Sequence, residues 1–169
     1  MVLSLTPLTR FVARALARRL AKSYTVSTMS ECAICEKHAG RGLLVGEVLY
    51  EDENVLVSHA PAGVVDGYLG YLFVDAKRHV RGLAELEDDE ASALALVVTR
   101  LARTLEREGA DHVYAFVFDH IPHHHVHVVA RYPGTPREYW GPRVDEWPDA
   151  RRGDETEIAA LCNRLRVGF

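Results

Sequence analysis

Nine histidines in 169 residues are many, and four of them fall within five positions: His123, His124, His125 and His127. Side chains of a strand alternate between its faces. In an extended segment His123, His125 and His127 therefore share one face, while His124 turns to the other with Val126 and Val128. Each imidazole carries a donor and an acceptor that need partners once buried. Three rings in register point to work: metal ligation, nucleophilic catalysis or phosphate binding. Neutral imidazole suits the nucleophilic role, because its ordinary pKa of about 6.5 leaves a lone pair free at pH 7.

A second cluster, Cys32-Ala33-Ile34-Cys35, lies nearer the start. Such a pair serves zinc or redox chemistry. A thioredoxin-type redox site needs a βαβ setting, which the surrounding pattern lacks. Zinc needs two more ligands, which histidines would supply in a Cys2His2 set. His38, His59, His79, His112 and one of the clustered histidines are candidates. Spacing does not choose among them.

The elements that must position these groups follow from periodicity. Val48–Tyr50 and Val55–Ala60 are short β-rich runs around Glu51-Asp52-Glu53-Asn54, a hairpin pattern. Residues 32–46 begin as loop, Pro61–Gly67 is a second loop, and Tyr68–Val74 is a strand that leaves through Lys77-Arg78-His79. Leu86–Glu108 is the clearest helix. Asp88, Asp89 and Glu90 suit its N-terminal dipole, Leu94, Val97, Val98, Leu101 and Leu105 form one apolar stripe, and Gly109 stops it. Val113–Phe118 and His123–Arg131 are further strands. Residues 132–153, with both tryptophans, read as a packed irregular arm. Asp154 caps a last helix with Ile158, Leu161, Cys162 and Leu165 on one stripe. This order fits one α+β domain with an antiparallel sheet.

Composition narrows the classes. The chain is 48% hydrophobic and 26% charged, with a net charge of −4. It is neither disordered nor collagen-like, and it lacks the charge of a general nucleic-acid binder. Three cysteines exclude a disulfide scaffold. No apolar run reaches the ~18 residues of a membrane span. The charge is uneven: residues 1–28 hold Arg10, Arg14, Arg18, Arg19 and Lys22 and no acid, against 15 basic and 24 acidic residues in the remainder. An Arg-rich, acid-free stretch with Ser, Thr and Leu has the composition of a transit peptide, and Leu8, Phe11, Val12, Ala15 and Leu16 recur at the spacing of an amphipathic basic helix. An over-extended start before Met29 fits equally, and 17 arginines against 3 lysines suit GC-rich bacterial coding. The expected location is cytoplasmic, or an organelle matrix if residues 1–28 are a transit peptide.

Taken together, the motifs resemble the histidine triad (HIT) family. Its mark, His-x-His-x-His-x-x with mainly apolar x, is met by His123-His124-His125-Val126-His127-Val128-Val129. Members also carry a strand reading Gly-His-apolar-apolar-Val-Ile-Pro-Lys-x-His, with which Gly70-Tyr71-Leu72-Phe73-Val74-Asp75-Ala76-Lys77-Arg78-His79 aligns without a gap. Zinc-containing members place CxxC near the start, as Cys32 and Cys35 do. The resemblance implies an antiparallel sheet of about five strands with a long helix packed on it, over residues 29–131, and leaves 132–169 as a C-terminal arm and helix. It implies a homodimer acting on a nucleotide-type substrate. His125 would be the nucleophile that attacks an α-phosphorus, and His127 would contact the phosphate and help the leaving group depart. His123 would complete a structural zinc site with Cys32, Cys35 and His79, four protein ligands leaving no open position.

Several positions depart from the pattern. His124 fills an ordinarily apolar spacer position and is expected at a solvated strand mouth, without a role. Tyr71 stands where many members have a supporting His, and Ser58 where nucleoside-binding members place an Asp for the ribose. Phe118-Asp119-His120-Ile121-Pro122 replaces a Gly-Gln-Ser/Thr type of phosphate loop, and Pro61–Gly70 is longer than usual. These changes bear on adenosine specificity more than on phosphorus chemistry. His59, Tyr71 and His120 are the candidate substrate-lining residues. Lys77 and Arg131 read as anion contacts or as surface charges, and Tyr139, Trp140 and Trp147 as cover for the site, a dimer interface or ordinary packing. The expected activity is hydrolysis of a phosphoramidate or phosphoanhydride bond of a nucleotide conjugate through a nucleotidyl-histidine intermediate. The alternatives are a nucleotidyltransferase or phosphorylase, and a zinc-stabilised nucleotide-binding module with little turnover. Neither a nucleic-acid nor a membrane partner is expected.

Overall fold

The computed structural model describes residues 32–118 and 120–168. The basic segment 1–28 and Asp119 lie outside the described residues. The elements are α1 (Ala33–His38), β1 (Val48–Glu51), β2 (Val55–His59), α2 (Ala62–Val65), β3 (Tyr71–Ala76), α3 (Asp88–Arg107), β4 (His112–Phe116), β5 (His125–Arg131) and α4 (Glu155–Arg166). Short 3-10 turns lie at Leu83–Glu85, Arg137–Tyr139 and Gly141–Glu146. The strands form one sheet in the order β1-β2-β3-β5-β4, every neighbouring pair antiparallel. The architecture is α+β.

Alternation along the strands sorts the two faces. Val55 and Val57 of β2, Leu72 and Val74 of β3, and Val128 and Ala130 of β5 pack with Leu94, Val97, Leu101 and Leu105 of α3 in the core. Burying each such larger aliphatic side chain contributes about 1.5–3 kcal/mol. Ser58, Phe73, Asp75, His125 and His127 therefore lie on the other face. The pairs Ser58↔Phe73, Phe73↔His127 and Asp75↔His125 put them side by side.

The helix ends are chemically marked. At α3 a capping box joins Glu87 and Glu90, so each side chain takes the other's backbone N–H. At α4 the Asp154 carboxylate accepts from the N–H groups of Thr156 and Glu157. Ile158, Leu161, Cys162 and Leu165 of α4 join the core. Arg166 donates to the Val48 carbonyl of edge strand β1 at 2.5 Å. The arm is tied to the domain by backbone bonds from Leu69 to Arg151 and from Gly153 to Gly67, both 2.9 Å.

Four local differences from the sequence reading have physical causes. β3 begins at Tyr71 rather than Tyr68, because Asp66, Gly67 and Gly70 hold φ of 52°, 69° and 86°, which no extended strand tolerates. At Gly70 a Cβ would come within 2.8 Å of the Tyr132 hydroxyl and 3.0 Å of the Ala130 Cβ, so the chain needs glycine there. α1 occupies part of what reads as loop, pinned by the cluster its cysteines belong to. β5 begins at His125, since the backbone N–H of His124 instead donates to the Val80 carbonyl at 2.6 Å. His124 itself is not solvated. It is 2% exposed and lines an apolar pocket of about 230 Å3 with Leu86, Leu94, Val98 and Val126, on the α3 face of the sheet. Burial lowers its pKa, and its Nδ1 has no hydrogen-bond partner among the described residues. No helix among the described residues is long and apolar enough to cross a membrane.

Candidate active site and metal centre

His125 and His127 project from β5 onto the face opposite α3, and both are buried. The His125 Nδ1–H donates to the carbonyl of His123 at 2.7 Å. That bond leaves Nε2 as a bare lone pair. The Nε2 of His127 lies 3.0 Å from it and its Nδ1 lies 2.9 Å from the Tyr71 hydroxyl. One proton pattern satisfies the whole chain of contacts: Tyr71 O–H donates to His127 Nδ1, and His127 Nε2–H donates to His125 Nε2. Burial lowers the pKa of His125 and, with the neighbouring His125 and His120 rings, takes His127 down to about 2. Both rings are neutral at pH 7, so the His125 Nε2 lone pair is not lost to protonation. Phe73 and Phe118 wall the pair, with ring centroids 5.1 and 4.9 Å from that of His127.

The metal cluster assembles from three elements. Cys32 and Cys35 flank the start of α1, His79 follows β3, and His123 precedes β5. The Cys32 Sγ lies 3.3 Å from His123 Nδ1, and the Cys35 Sγ lies 3.2 Å from His79 Nδ1 and 3.5 Å from His123 Nδ1. A tetrahedral zinc bound to sulfur and nitrogen sets those donors about 3.5 Å apart. The tautomer also fits: the His123 Nε2–H donates to the Ala76 carbonyl at 2.7 Å, which turns the Nδ1 lone pair toward the cysteines. Burial lowers the His123 pKa to about 4, leaving the neutral, ligating form. These four residues would hold a structural zinc, whose chemistry is to tie α1 to the ends of β3 and β5.

Next to the triad lies a buried charge pair. Lys37 of α1 reaches over the Phe73 ring, 4.8 Å from its centroid, to Asp75 of β3 at 2.5 Å and Ser58 at 3.4 Å. Asp75 is fully buried and also meets the His38 Nε2 at 3.1 Å. Its partners His38 and Lys37 outweigh burial and hold its carboxyl below the usual range, while burial lowers the ammonium pKa of Lys37. Asp75 sits directly opposite His125 in the sheet. Neither Lys37 nor Asp75 is a candidate on sequence grounds. The available signal is a carboxylate inside the otherwise apolar run of β3.

The other candidates divide. Tyr71 touches His127, with its hydroxyl 2.9 Å from the ring Nδ1. His120 is exposed, with its ring centroid 5.5 Å from that of His125, at the mouth of the site. His59 is not at the pocket. It pairs with Leu72 on the α3 face, where its Nδ1–H donates to the Ala60 carbonyl at 2.6 Å and its Nε2 accepts from the Gly70 N–H at 3.0 Å. It is a core histidine with both nitrogens satisfied. His38 serves Asp75 and is outside the cysteine cluster, and His112 is exposed on β4. Lys77 pairs with Glu51. Arg131 pairs with Asp111 and stacks on Trp140, 3.9 Å from the ring centroid.

Two outcomes follow. Metal analysis of protein purified without chelator gives about one zinc per chain. Cys32→Ser loses that metal and Cys162→Ser keeps it. Lys37→Met leaves Asp75 short of its main partner and lowers unfolding stability by about 3–5 kcal/mol. Adding Asp75→Leu to Lys37→Met recovers most of the loss in a urea titration.

The geometry has known counterparts. The HIT domain family matches residues 44–134. A Zn-bound histidine triad family protein from Mycobacterium smegmatis shares the fold at 23% identity and a TM-score of 0.57, over 84% of this chain and 94% of its own. A hypothetical histidine triad nucleotide-binding protein from Sulfolobus tokodaii does so at 21% identity and a TM-score of 0.59, over 81% and 91%. A histidine triad protein from Sinorhizobium meliloti does so at 19% identity and a TM-score of 0.60, over 84% and 100%. No curated protein matches the sequence. At these identities the structural likenesses show the fold. The family match spans more than half of the 169 residues and includes all of β1 to β5: the chain belongs to the HIT domain family.

Proposed function

We propose that this protein hydrolyses a phosphoramidate or phosphoanhydride bond of a nucleotide conjugate, with His125 as nucleophile. The observation that carries the reading is the Nε2 lone pair of His125, aimed by the His123 carbonyl at 2.7 Å and met by His127 at 3.0 Å. In the first step Nε2 attacks the α-phosphorus. A P–N bond to His125 forms and the bond from phosphorus to the leaving group breaks. His127 gives its Nε2 proton to the departing nitrogen or oxygen, and Tyr71 holds that proton on the correct nitrogen beforehand. In the second step water attacks the same phosphorus and gives one of its protons to His127 Nε2, while the P–N bond breaks and returns its electron pair to His125 Nε2. Splitting one displacement into two lowers each barrier. His120 stands at the mouth of the site, where it meets the substrate.

Relatives described as nucleotide-binding and Zn-bound support the substrate class and a structural zinc. Ser58 and Lys37, at 3.4 Å from each other, offer a different polar floor from a ribose-binding carboxylate, so the nucleoside preference differs from that of members with Asp at the Ser58 position.

The test is turnover of a panel of nucleoside phosphoramidates and dinucleoside polyphosphates. The wild type turns over at least one, and His125→Ala lowers kcat by roughly 10³-fold or more. Turnover that survives in His125→Ala overturns the nucleophile. Folded wild type that binds nucleotide without turnover would leave a binding module. The protein acts as a homodimer in this reading. Support comes from β4, the edge strand that leaves half-buried Val113, Tyr114 and Phe116 beside half-exposed Val117. Sedimentation returns twice the chain mass, and a monomer under assay conditions would refute it.

A further inference from the structure

We infer that His120, His125 and His127 form a second metal site, separate from the cysteine cluster, which takes a divalent first-row transition ion such as zinc and silences the triad while the ion is held. The inference rests on the reading above for its consequence, since it regulates the same histidines. One nitrogen from each ring lies within 4.8 Å of the others. The two Nε2 atoms of His125 and His127 are 3.0 Å apart. A tetrahedral ion with Zn–N of about 2.0–2.1 Å needs its donors about 3.4 Å apart. The two buried rings are thus near their places already. A side-chain rotation of exposed His120, whose centroid lies 5.5 and 5.7 Å from theirs, brings in the third donor.

The hydrogen bonds around the rings allow this without any proton being lost. The Nδ1–H of His125 is tied to the His123 carbonyl, so its Nε2 lone pair faces the cluster in either state. For His127 to offer Nε2 to a metal, its proton must move to Nδ1 and find an acceptor. The Tyr71 hydroxyl lies 2.9 Å from that atom, and a phenol accepts as readily as it donates. The ring changes tautomer and Tyr71 reverses its role. Three imidazoles and no carboxylate favour zinc, copper or nickel over magnesium or calcium. Unlike the closed Cys2His2 set, three protein ligands leave a fourth position to water. An ion bound there occupies the lone pair with which His125 attacks, so metal and nucleotidyl transfer exclude one another.

The test starts from protein that retains its cysteine-bound zinc, dialysed to equilibrium against Zn2+ and, separately, Co2+. The wild type takes up one further equivalent per chain. The added cobalt shows d–d absorption without thiolate charge transfer, which marks a nitrogen site. His120→Ala takes up no second equivalent. His112→Ala, which removes an exposed histidine of β4, takes it up as the wild type does. Filling the site lowers turnover roughly tenfold or more, and saturating substrate relieves the effect, as expected when the nucleophile itself is capped. A wild type with no second equivalent overturns the site, as does His120→Ala that still binds it. Full turnover with the site filled overturns the exclusion. If no substrate is turned over at all, the hydrolase reading fails, and uptake and the cobalt spectrum alone decide the site.

Discussion

The antiparallel pairing of β3 with β5 is the constraint on which the rest depends. It sets Asp75 opposite His125 and Phe73 opposite His127, and in the same stroke Leu72 opposite Val128 and Val74 opposite Val126. Side chains alternate with a period of two, so one register decides both faces. A slip by one residue would bury two imidazoles beneath α3 and turn Val126 and Val128 toward the site. The hydrophobic core therefore enforces the histidine-bearing face. Leu94, Val97, Leu101 and Leu105 of α3 select the register by the residues they accept, and the histidines inherit their direction from that choice.

What lies above the sheet on that face is electrostatically unusual. His125 and His127 are neutral, and the formal charges beside them belong to Lys37 and Asp75, both buried. Removing two ions from water is costly, and such a pair seldom adds net stability. It persists here because its two halves come from separately anchored elements. Asp75 is fixed by β3, and Lys37 by α1, which the cysteines hold against His79 and His123. A buried pair in a low-dielectric setting also imposes a fixed field on its neighbours. Burial lowers the His125 pKa, and of the two charges Asp75 favours the protonated ring while Lys37 opposes it.

Much of this was legible in the sequence. The hairpin, the long helix and the last helix capped by Asp154 all announce themselves through local chemistry. The alternation rule put His124 on the face opposite His125 and His127. Local chemistry failed where distant segments had to meet. His124 is buried because α3 and the Leu83–Glu85 turn cover it, and no periodicity in its own strand encodes that cover. His59 went to the core because its two nitrogens find backbone partners at Ala60 and Gly70, a satisfaction visible only in three dimensions. Lys37 and Asp75 lie 38 residues apart, and although Asp75 stands out in an apolar run, nothing local to it points to Lys37 as its partner. The four zinc-type ligands were open to several combinations by spacing, and only the resemblance to a family narrowed them.

His123 joins the two centres of the molecule through a single residue. Its ring faces the cysteines on one nitrogen and grips the Ala76 carbonyl with the other, while its own carbonyl orients His125. The path from the cysteine cluster to His125 is thus the covalent frame of one residue and a single hydrogen bond of 2.7 Å. In that sense the cysteine cluster works as a surveyor's fixed point: the residue it holds by the ring is the one whose carbonyl takes the bearing of His125.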